Sequence, residues 1–246
     1  MKLKSKLAAR NLTIGSWLTI AHPIMAEIMS SLGFEWIVVD MEHPPITITE
    51  VFQMVQIIEL SGCVSLVRIS ENNATIIKQV LDSGTQGIIV PMVNNAEEAE
   101  NAVKAARYAP LGVRGVGLTR ANKYGDDFDN YRKRTNEIIV LPQIEHIKAV
   151  YNLEEIIRVD GVDGIIVGPY DLSASLGFPG EFDHPEVRTA LKKIEEIIAK
   201  MKISAGYHIA YPNISVVKEK MKNYNFIIYS ADFLLMREQA LNDLKK

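Results

Sequence analysis

Eight short apolar segments recur along the chain, and this repetition restricts the possible folds more than any other feature of the sequence. Most of them are continuously apolar rather than alternating and are rich in Ile and Val, which is typical of strands buried on both faces of a parallel sheet. The segments are residues 14–18, 35–40, 64–69, 87–91, 138–145, 164–168, 203–210 and 226–229.

The residues between these segments have helical periodicity. Residues 96–108 place Ala and Val on one face and acidic side chains on the other, and residues 185–201 repeat the pattern with Ile and Lys. Alternating strands and helices specify parallel strands joined by right-handed crossovers, and eight such units match a (β/α)8 barrel of about 250 residues. An open doubly wound sheet is the rival fold, but no G-x-G-x-x-G follows the first strand. We therefore predict an α/β protein with a single TIM-barrel domain spanning residues 1–246.

Composition and charge exclude several classes of protein. The net charge of -3 gives no bulk attraction to nucleic acid or anionic lipid, and no apolar run is long enough to span a membrane. The single cysteine, Cys63, cannot form an intrachain disulfide, which fits a reducing compartment. The basic start of the chain resembles a signal peptide, but polar residues interrupt the apolar stretch after it. We expect a cytoplasmic protein with no nucleic-acid and no membrane partner.

One connection departs from the pattern. Residues 109–136 join the fourth helix to the fifth strand and contain four glycines, whereas such connections usually have roughly two to six residues. This length predicts a functional lid or an interface element.

Polar side chains follow the predicted strands at the point where each strand ends. In a barrel the catalytic groups come from the carboxyl ends of the strands. Trp17 lies near that end of the first strand, and the fourth ends at Pro91. The other ends carry Asp40-Met41-Glu42-His43, Arg68, Gln143-Ile144-Glu145 and Gly168-Pro169-Tyr170-Asp171.

Glu145 and Asp171 are candidate metal ligands. Two carboxylates on adjacent strand ends, with Gln143 nearby, suit a hard divalent cation such as Mg2+, Mn2+ or Co2+. The alternative is that each carboxylate caps the helix that follows it.

His43 and Arg68 are candidate catalytic groups. An imidazole with a pKa near ~6.5 can exchange protons at neutral pH, and Asp40 or Glu42 could orient it. Arg68 could bind a carboxylate and stabilise an oxyanion. The alternatives are a structural histidine and an internal ion pair of Arg68 with Asp40 or Asp82.

Residues 168–177, GPYDLSASLG, form a tight turn before a helix that has Ser173 and Ser175 near its start. Backbone amides there could bind a ligand carboxylate, although an ordinary capped helix has the same pattern. No apolar segment ends on Lys, which disfavours a Schiff-base aldolase. The last two strands are not followed by a glycine-rich loop that could bind phosphate, which favours a carboxylate over a phosphorylated substrate.

Taken together, these motifs closely resemble the HpcH/HpaI aldolase family, which includes 4-hydroxy-2-oxo-heptane-1,7-dioate and 2-dehydro-3-deoxyglucarate aldolases. The resemblance covers nearly the whole chain in order. It is carried by Asp40-x-Glu42-His43, Arg68, Leu81-Asp82-x-Gly84-x-x-Gly87-Ile88, Pro91, Arg107-Tyr108-x-Pro110-x-Gly112-x-Arg114-Gly115, Gln143-Ile144-Glu145 and Gly168-Pro169-x-Asp171-Leu172-Ser173-Ala174-Ser175-Leu176-Gly177.

The resemblance implies a class II pyruvate aldolase that binds a divalent metal through Glu145 and Asp171. It gives His43 a role in acid-base chemistry, lets Arg68 stabilise the pyruvate enolate, and has Asp82 support the site from its own or a neighbouring subunit. It also implies a homo-oligomer, a hexamer whose protomers exchange their last helix. The substrate contacts that we predict are Trp17, Arg68, Gln143, Gly168, Pro169, Ser173 and Ala174.

The expected reaction is the reversible retro-aldol cleavage of a 4-hydroxy-2-oxo acid to pyruvate and an aldehyde. A related lyase on the same barrel is the alternative, either a citrate-lyase-beta-like enzyme acting on a CoA thioester or an oxaloacetate decarboxylase. A CoA thioester would need basic residues near the site, and Arg114, Arg120 and Lys123 of the long connection could supply them. A third hypothesis is that the chain is a catalytically inactive barrel that binds a metabolite.

Overall fold

Eight parallel strands close into a barrel in the computed structural model, which describes residues 2–244, so that Met1, Lys245 and Lys246 lie outside it. Each strand pairs with the next along the chain, and the last pairs with the first. The predicted TIM barrel is confirmed, and every predicted strand is present. The strands are β1 Thr13–Leu18, β2 Trp36–Asp40, β3 Val64–Arg68, β4 Gly87–Val90, β5 Ile139–Ile144, β6 Ile165–Val167, β7 Ala205–Ile209 and β8 Phe226–Ala231.

Helices lie between the strands, and several begin at a polar cap. Thr47 and Glu50 form a capping box at the start of the helix Ile48–Leu60, and Asn73 and Asn95 cap the helices that follow them. Short 3-10 helices occupy Arg120–Gly125 and Thr135–Glu137. The α-helices are α1 Leu3–Ala8, α2 Pro23–Ser31, α3 Ile48–Leu60, α4 Ala74–Asp82, α5 Ala96–Ala106, α6 Phe128–Lys133, α7 Ile147–Tyr151, α8 Leu153–Ile157, α9 Pro169–Ser175, α10 Pro185–Met201, α11 Ile214–Lys220 and α12 Asp232–Leu244.

Side chains fill the inside of the barrel, because successive residues of a strand point to opposite faces. Trp36 and Phe226 stack there with ring centroids 3.9 Å apart. Gly15 makes room for them, since a Cβ atom at that position would lie 2.2 Å from the Trp36 ring. Leu3 and Leu7 of α1 pack against the same interior cluster. A second apolar cluster lies between the strands and the surrounding helices. No helix of residues 2–244 is long and apolar enough to cross a membrane.

The long connection packs on the end of the barrel opposite the carboxyl ends of the strands. Arg114 pairs with Asp82 at 2.7 Å, and Arg120 pairs with Glu59 at 2.9 Å. Both acidic residues lie at the ends of helices that run antiparallel to the strands, so they mark the amino-terminal face of the sheet. Within one chain the segment therefore does not cover the strand ends, and a functional lid stays a prediction. The expectation of an interface element stays a prediction.

Candidate active site

Arg68 lies at the centre of a polar cluster at the carboxyl end of β3. The register of β2 and β3 pairs Asp40 with Arg68, and the buried carboxylate accepts two hydrogen bonds, from Nε at 2.8 Å and from Nη2 at 2.7 Å. Glu42 lies 2.9 Å from Nη1, and the Trp17 ring centroid lies 4.2 Å from the guanidinium carbon. Burial opposes the charged form, but the hydrogen bonds and charge of Asp40 raise the pKa of Arg68. Of the two proposed ion-pair partners, Asp40 is the one observed.

Glu145 follows β5, and its carboxylate is buried beside this cluster. The backbone N–H of Met92 donates to Oε1 at 2.6 Å, and the side-chain amide of Gln143 donates to Oε2. Gly168 allows the approach of the next strand end, because a Cβ atom there would lie 3.0 Å from Oε2. Burial, with a further contribution from the charge of Glu42, raises the pKa of Glu145 to about 7.

The donor set fits a divalent cation. Asp171 lies in the first turn of α9, exposed at the mouth, and its negative charge also raises the pKa of Glu145. The negative charges of Asp40, Glu42 and Glu145 act on the guanidinium of Arg68, and Asp171 adds a further negative charge near Glu42 and Glu145. Among residues 2–244 no group of three or more His, Cys, Asp or Glu side chains has metal-binding geometry. Glu145 and Asp171 thus offer two hard oxygen ligands, which suits a cation that keeps water or substrate oxygens as its other ligands.

A cavity of about 210 Å³ opens beside these groups. It brings together most of the residues that the sequence predicts for the site, which are Trp17, His43, Arg68, Gln143, Gly168, Pro169 and Asp171. Tyr170 and His208 also line it. His43 is exposed at the cavity entrance, where solvent can exchange protons with it.

Four predicted site residues do not line this cavity, and one of them, Glu145, lies beside it against Gln143. Asp82 lies at the opposite end of the barrel in its ion pair with Arg114, so it cannot act at its own chain's strand ends. The hydroxyl of Ser173 is buried, donates to the Tyr170 carbonyl at 2.6 Å and accepts from the Gly180 N–H at 2.8 Å. Ala174 is exposed on α9 outside the cavity. A role for Asp82 in a neighbouring subunit stays a prediction.

Two residues that the sequence analysis did not identify, Asp232 and Met92, support the site. Asp232, buried at the end of β8, accepts hydrogen bonds from the backbone of Thr19 at 2.9 Å and of Ile20 at 2.8 Å. This fixes the loop that follows Trp17. The role of Met92 could not be predicted from its side chain, because its contribution is a backbone N–H from a residue with a φ of 54°.

The basic residues of the long connection do not reach this mouth. Arg114 and Arg120 form their ion pairs at the amino-terminal face of the barrel. Lys123 belongs to the 3-10 helix of the same segment. Within one chain these residues therefore give no support to the recognition of a CoA thioester at the carboxyl ends of the strands.

Comparison with known proteins connects this geometry with one family. The sequence model of the HpcH/HpaI aldolase/citrate lyase family matches residues 13–227. The 2-keto-3-deoxy-L-rhamnonate aldolase of Salmonella typhi is 38% identical over 238 residues, which are 96% of this chain and 88% of that protein. The 4-hydroxy-2-oxo-heptane-1,7-dioate aldolase of Escherichia coli is 40% identical over 220 residues, 89% of this chain and 81% of its own.

A solved structure shows the same architecture. A protein of the HpcH/HpaI aldolase/citrate lyase family from Burkholderia cenocepacia J2315 superposes on this chain with a TM-score of 0.92. The two sequences are 28% identical, and the superposition covers 99% of each chain.

Proposed function

Because the chain belongs to the HpcH/HpaI aldolase/citrate lyase family and is a carbon–carbon lyase, we propose that it reversibly cleaves a 4-hydroxy-2-oxo acid to pyruvate and an aldehyde. The observation that carries the proposal is that one cavity has the guanidinium of Arg68, the imidazole of His43 and the carboxylate of Asp171 in its wall, with Glu145 beside it. These groups supply positive charge, a proton carrier and hard oxygen ligands at one place.

Arg68 is suited to hold the oxo acid. Its Nε and one Nη2 hydrogen are used by Asp40, and Nη1 faces Glu42 at 2.9 Å and Gln143 Oε1 at 3.5 Å, so that the second Nη2 hydrogen remains for a ligand. Because Arg68 donates two hydrogen bonds to Asp40, its guanidinium is already oriented before the substrate binds. A preorganised charged donor beside a forming enolate oxygen lowers the barrier by about 3 kcal/mol.

Glu145 and Asp171 would hold a divalent cation such as Mg2+, Mn2+ or Co2+. When bound, such a cation supplies Lewis-acid charge to the oxygens of the oxo acid. Glu145 serves this purpose in its ionised form, and the N–H of Met92 and the amide of Gln143 fix the orientation of its two oxygens. His43 takes the proton of the substrate 4-hydroxyl as the C3–C4 bond breaks and passes it to solvent, and C3 of the pyruvate enolate takes up a proton from solvent. In the aldol direction C3 loses its proton and His43 returns one to the new hydroxyl.

Deuterium exchange into pyruvate tests this proposal without knowledge of the aldehyde. The protein is incubated with pyruvate in D2O, with Mn2+, Mg2+ or EDTA, and loss of the methyl signal is followed by proton NMR. We expect exchange that requires the metal and is absent in Glu145→Gln. Glu100→Gln is the matched control, because Glu100 is an exposed residue of α5 that pairs with Lys104 away from the cavity. Equal exchange in EDTA, or full exchange in Glu145→Gln, contradicts the metal assignment.

We also propose that the chain forms a cytoplasmic homo-oligomer, a hexamer, in which Asp82 supports a neighbouring subunit's site. Exposed apolar side chains support self-association, namely Ile24 and Ile28 on α2, Leu32 directly after it, and Phe233 and Met236 on α12. Light scattering after gel filtration measures the number of subunits. A monomer at micromolar concentration would contradict this part of the proposal.

A further inference from the structure

His208 is a buried polar group that the reaction described above does not use. It lies near the end of β7, and its ring meets the Trp17 ring edge-on, with centroids 5.7 Å apart and an angle of 84° between the planes. Its Nε2 atom is buried and has no hydrogen-bond partner among residues 2–244. A buried nitrogen of this kind destabilises the protein as long as it stays unpaired. A ligand that pairs with it recovers that free energy.

The imidazole is neutral at physiological pH. Burial, together with the nearby positive charge of Arg68, lowers the pKa of His208 to about 3. A neutral imidazole has one nitrogen that donates and one that accepts. His208 belongs to the wall of the smaller cavity, so that a molecule in that cavity lies against its ring.

The position of His208 relates it to the aldehyde end of the substrate. It lines both the cavity of about 210 Å³ that holds Arg68 and a larger one of about 780 Å³. Pro169 and Tyr170 are the other residues shared by the two cavities. A substrate whose oxo acid end lies against Arg68 therefore extends past His208 into the larger space.

Resting on the proposed function, we propose that His208 hydrogen-bonds a hydroxyl group on the aldehyde portion of the substrate, so that the enzyme prefers hydroxyaldehydes to aliphatic aldehydes. A hydroxyl both donates and accepts, and it therefore pairs with either neutral form of the ring. An alkyl group in the same place leaves Nε2 unpaired.

The charge of the smaller cavity disfavours a second substrate carboxylate beside Arg68 and His208. Arg68 is the only Lys or Arg among the described residues that line the smaller cavity, and Asp40 and Glu42 already pair with it. The larger cavity has Arg188, Lys192, Lys220 and Lys222 in its wall, whereas a second carboxylate in the smaller cavity, beside Arg68 and His208, would have no free cation facing it. A neutral hydroxyl does not need one.

The test compares two aldehydes of the same size, glycolaldehyde and propanal, in which a hydroxyl replaces a methyl group. Pyruvate is the donor and Mn2+ is supplied. The ratio of kcat/KM for the two aldehydes is measured in the wild type, His208→Leu and His208→Gln. The ratio cancels any common effect of the substitution on pyruvate binding. We expect the wild type to prefer glycolaldehyde, the ratio to fall about tenfold in His208→Leu, and His208→Gln to keep most of it.

The outcomes separate the two proposals. A ratio that is the same in the wild type and His208→Leu overturns the role of His208, and so does a wild-type preference for propanal. Either result leaves the aldolase proposal standing, provided that product forms and pyruvate exchanges deuterium. Absence of both product and exchange in the wild type overturns the proposed function, and the role of His208 with it.

Discussion

Acidification from pH 7 to pH 5 should destabilise the fold by about 2 kcal/mol through His208 alone. Burial and the charge of Arg68 lower the pKa of the folded-state imidazole to about 3, whereas an unfolded chain has its histidines near ~6.5. At pH 5 the imidazole of His208 is therefore protonated in the unfolded state and neutral in the folded state. At pH 5 the ordinary pKa lies about 1.5 units above the pH, and each unit is worth about 1.4 kcal/mol. The stabilisation is complete above about pH 6.5 and decreases as the pH falls toward 3.

Urea unfolding at the two pH values measures this effect, with His208→Gln and His208→Leu as reference proteins. Neither replacement titrates, so both should lose about 2 kcal/mol of pH dependence relative to the wild type, although they differ in polarity. The charged groups that face the ring, Arg68, Asp40 and His43, are retained in all three proteins. An unchanged pH dependence in both variants would refute the argument, because the pKa of His208 would then be the same in the folded and the unfolded state.

Three further outcomes follow from the geometry. Glu145→Gln should lower pyruvate exchange more than about a hundredfold with an unchanged circular dichroism spectrum, and a spectrum of an unfolded chain would contradict a purely chemical role. Arg68→Ala should cost about 3 to 5 kcal/mol in urea unfolding because it leaves buried Asp40 unpaired, so a loss below 1 kcal/mol would argue against a buried ion pair. Gly15→Ala should lower the free energy of unfolding in urea by about 1 to 3 kcal/mol, since the methyl group of the alanine would overlap the Trp36 ring. Wild-type stability of this variant would show that the ring can move aside.

The sequence was sufficient to predict the barrel because its strands are buried on both faces and therefore stand out as apolar segments. The helix predicted over residues 185–201 is observed at the same bounds, since a proline starts it and its apolar stripe is long. The helix predicted over residues 96–108 ends earlier, at Ala106, where the chain turns extended at Arg107.

The polar ends of the strands predicted the position of the cavity, because parallel strands bring those ends together. The sequence could not predict which serines face a ligand. Ser173 is bonded to backbone atoms of its own segment, and this depends on how the chain folds back at Gly180. Nor could it assign His208, because an unpaired nitrogen is a property of three-dimensional neighbours. Asp82 shows the remaining limit: its place at the far end of the barrel follows from the direction of α4.

The hydrogen bonds of Asp232 have a consequence for how the protein is made. The carboxylate and the Thr19 backbone it holds are separated by 213 residues. At roughly 5 to 20 residues per second, a ribosome needs roughly 10 to 40 s to add them. Throughout that interval β1 and the newest strand present unpaired edges, which are templates for aggregation. The nascent chain would therefore gain most from chaperone protection late in synthesis, just before β8 emerges.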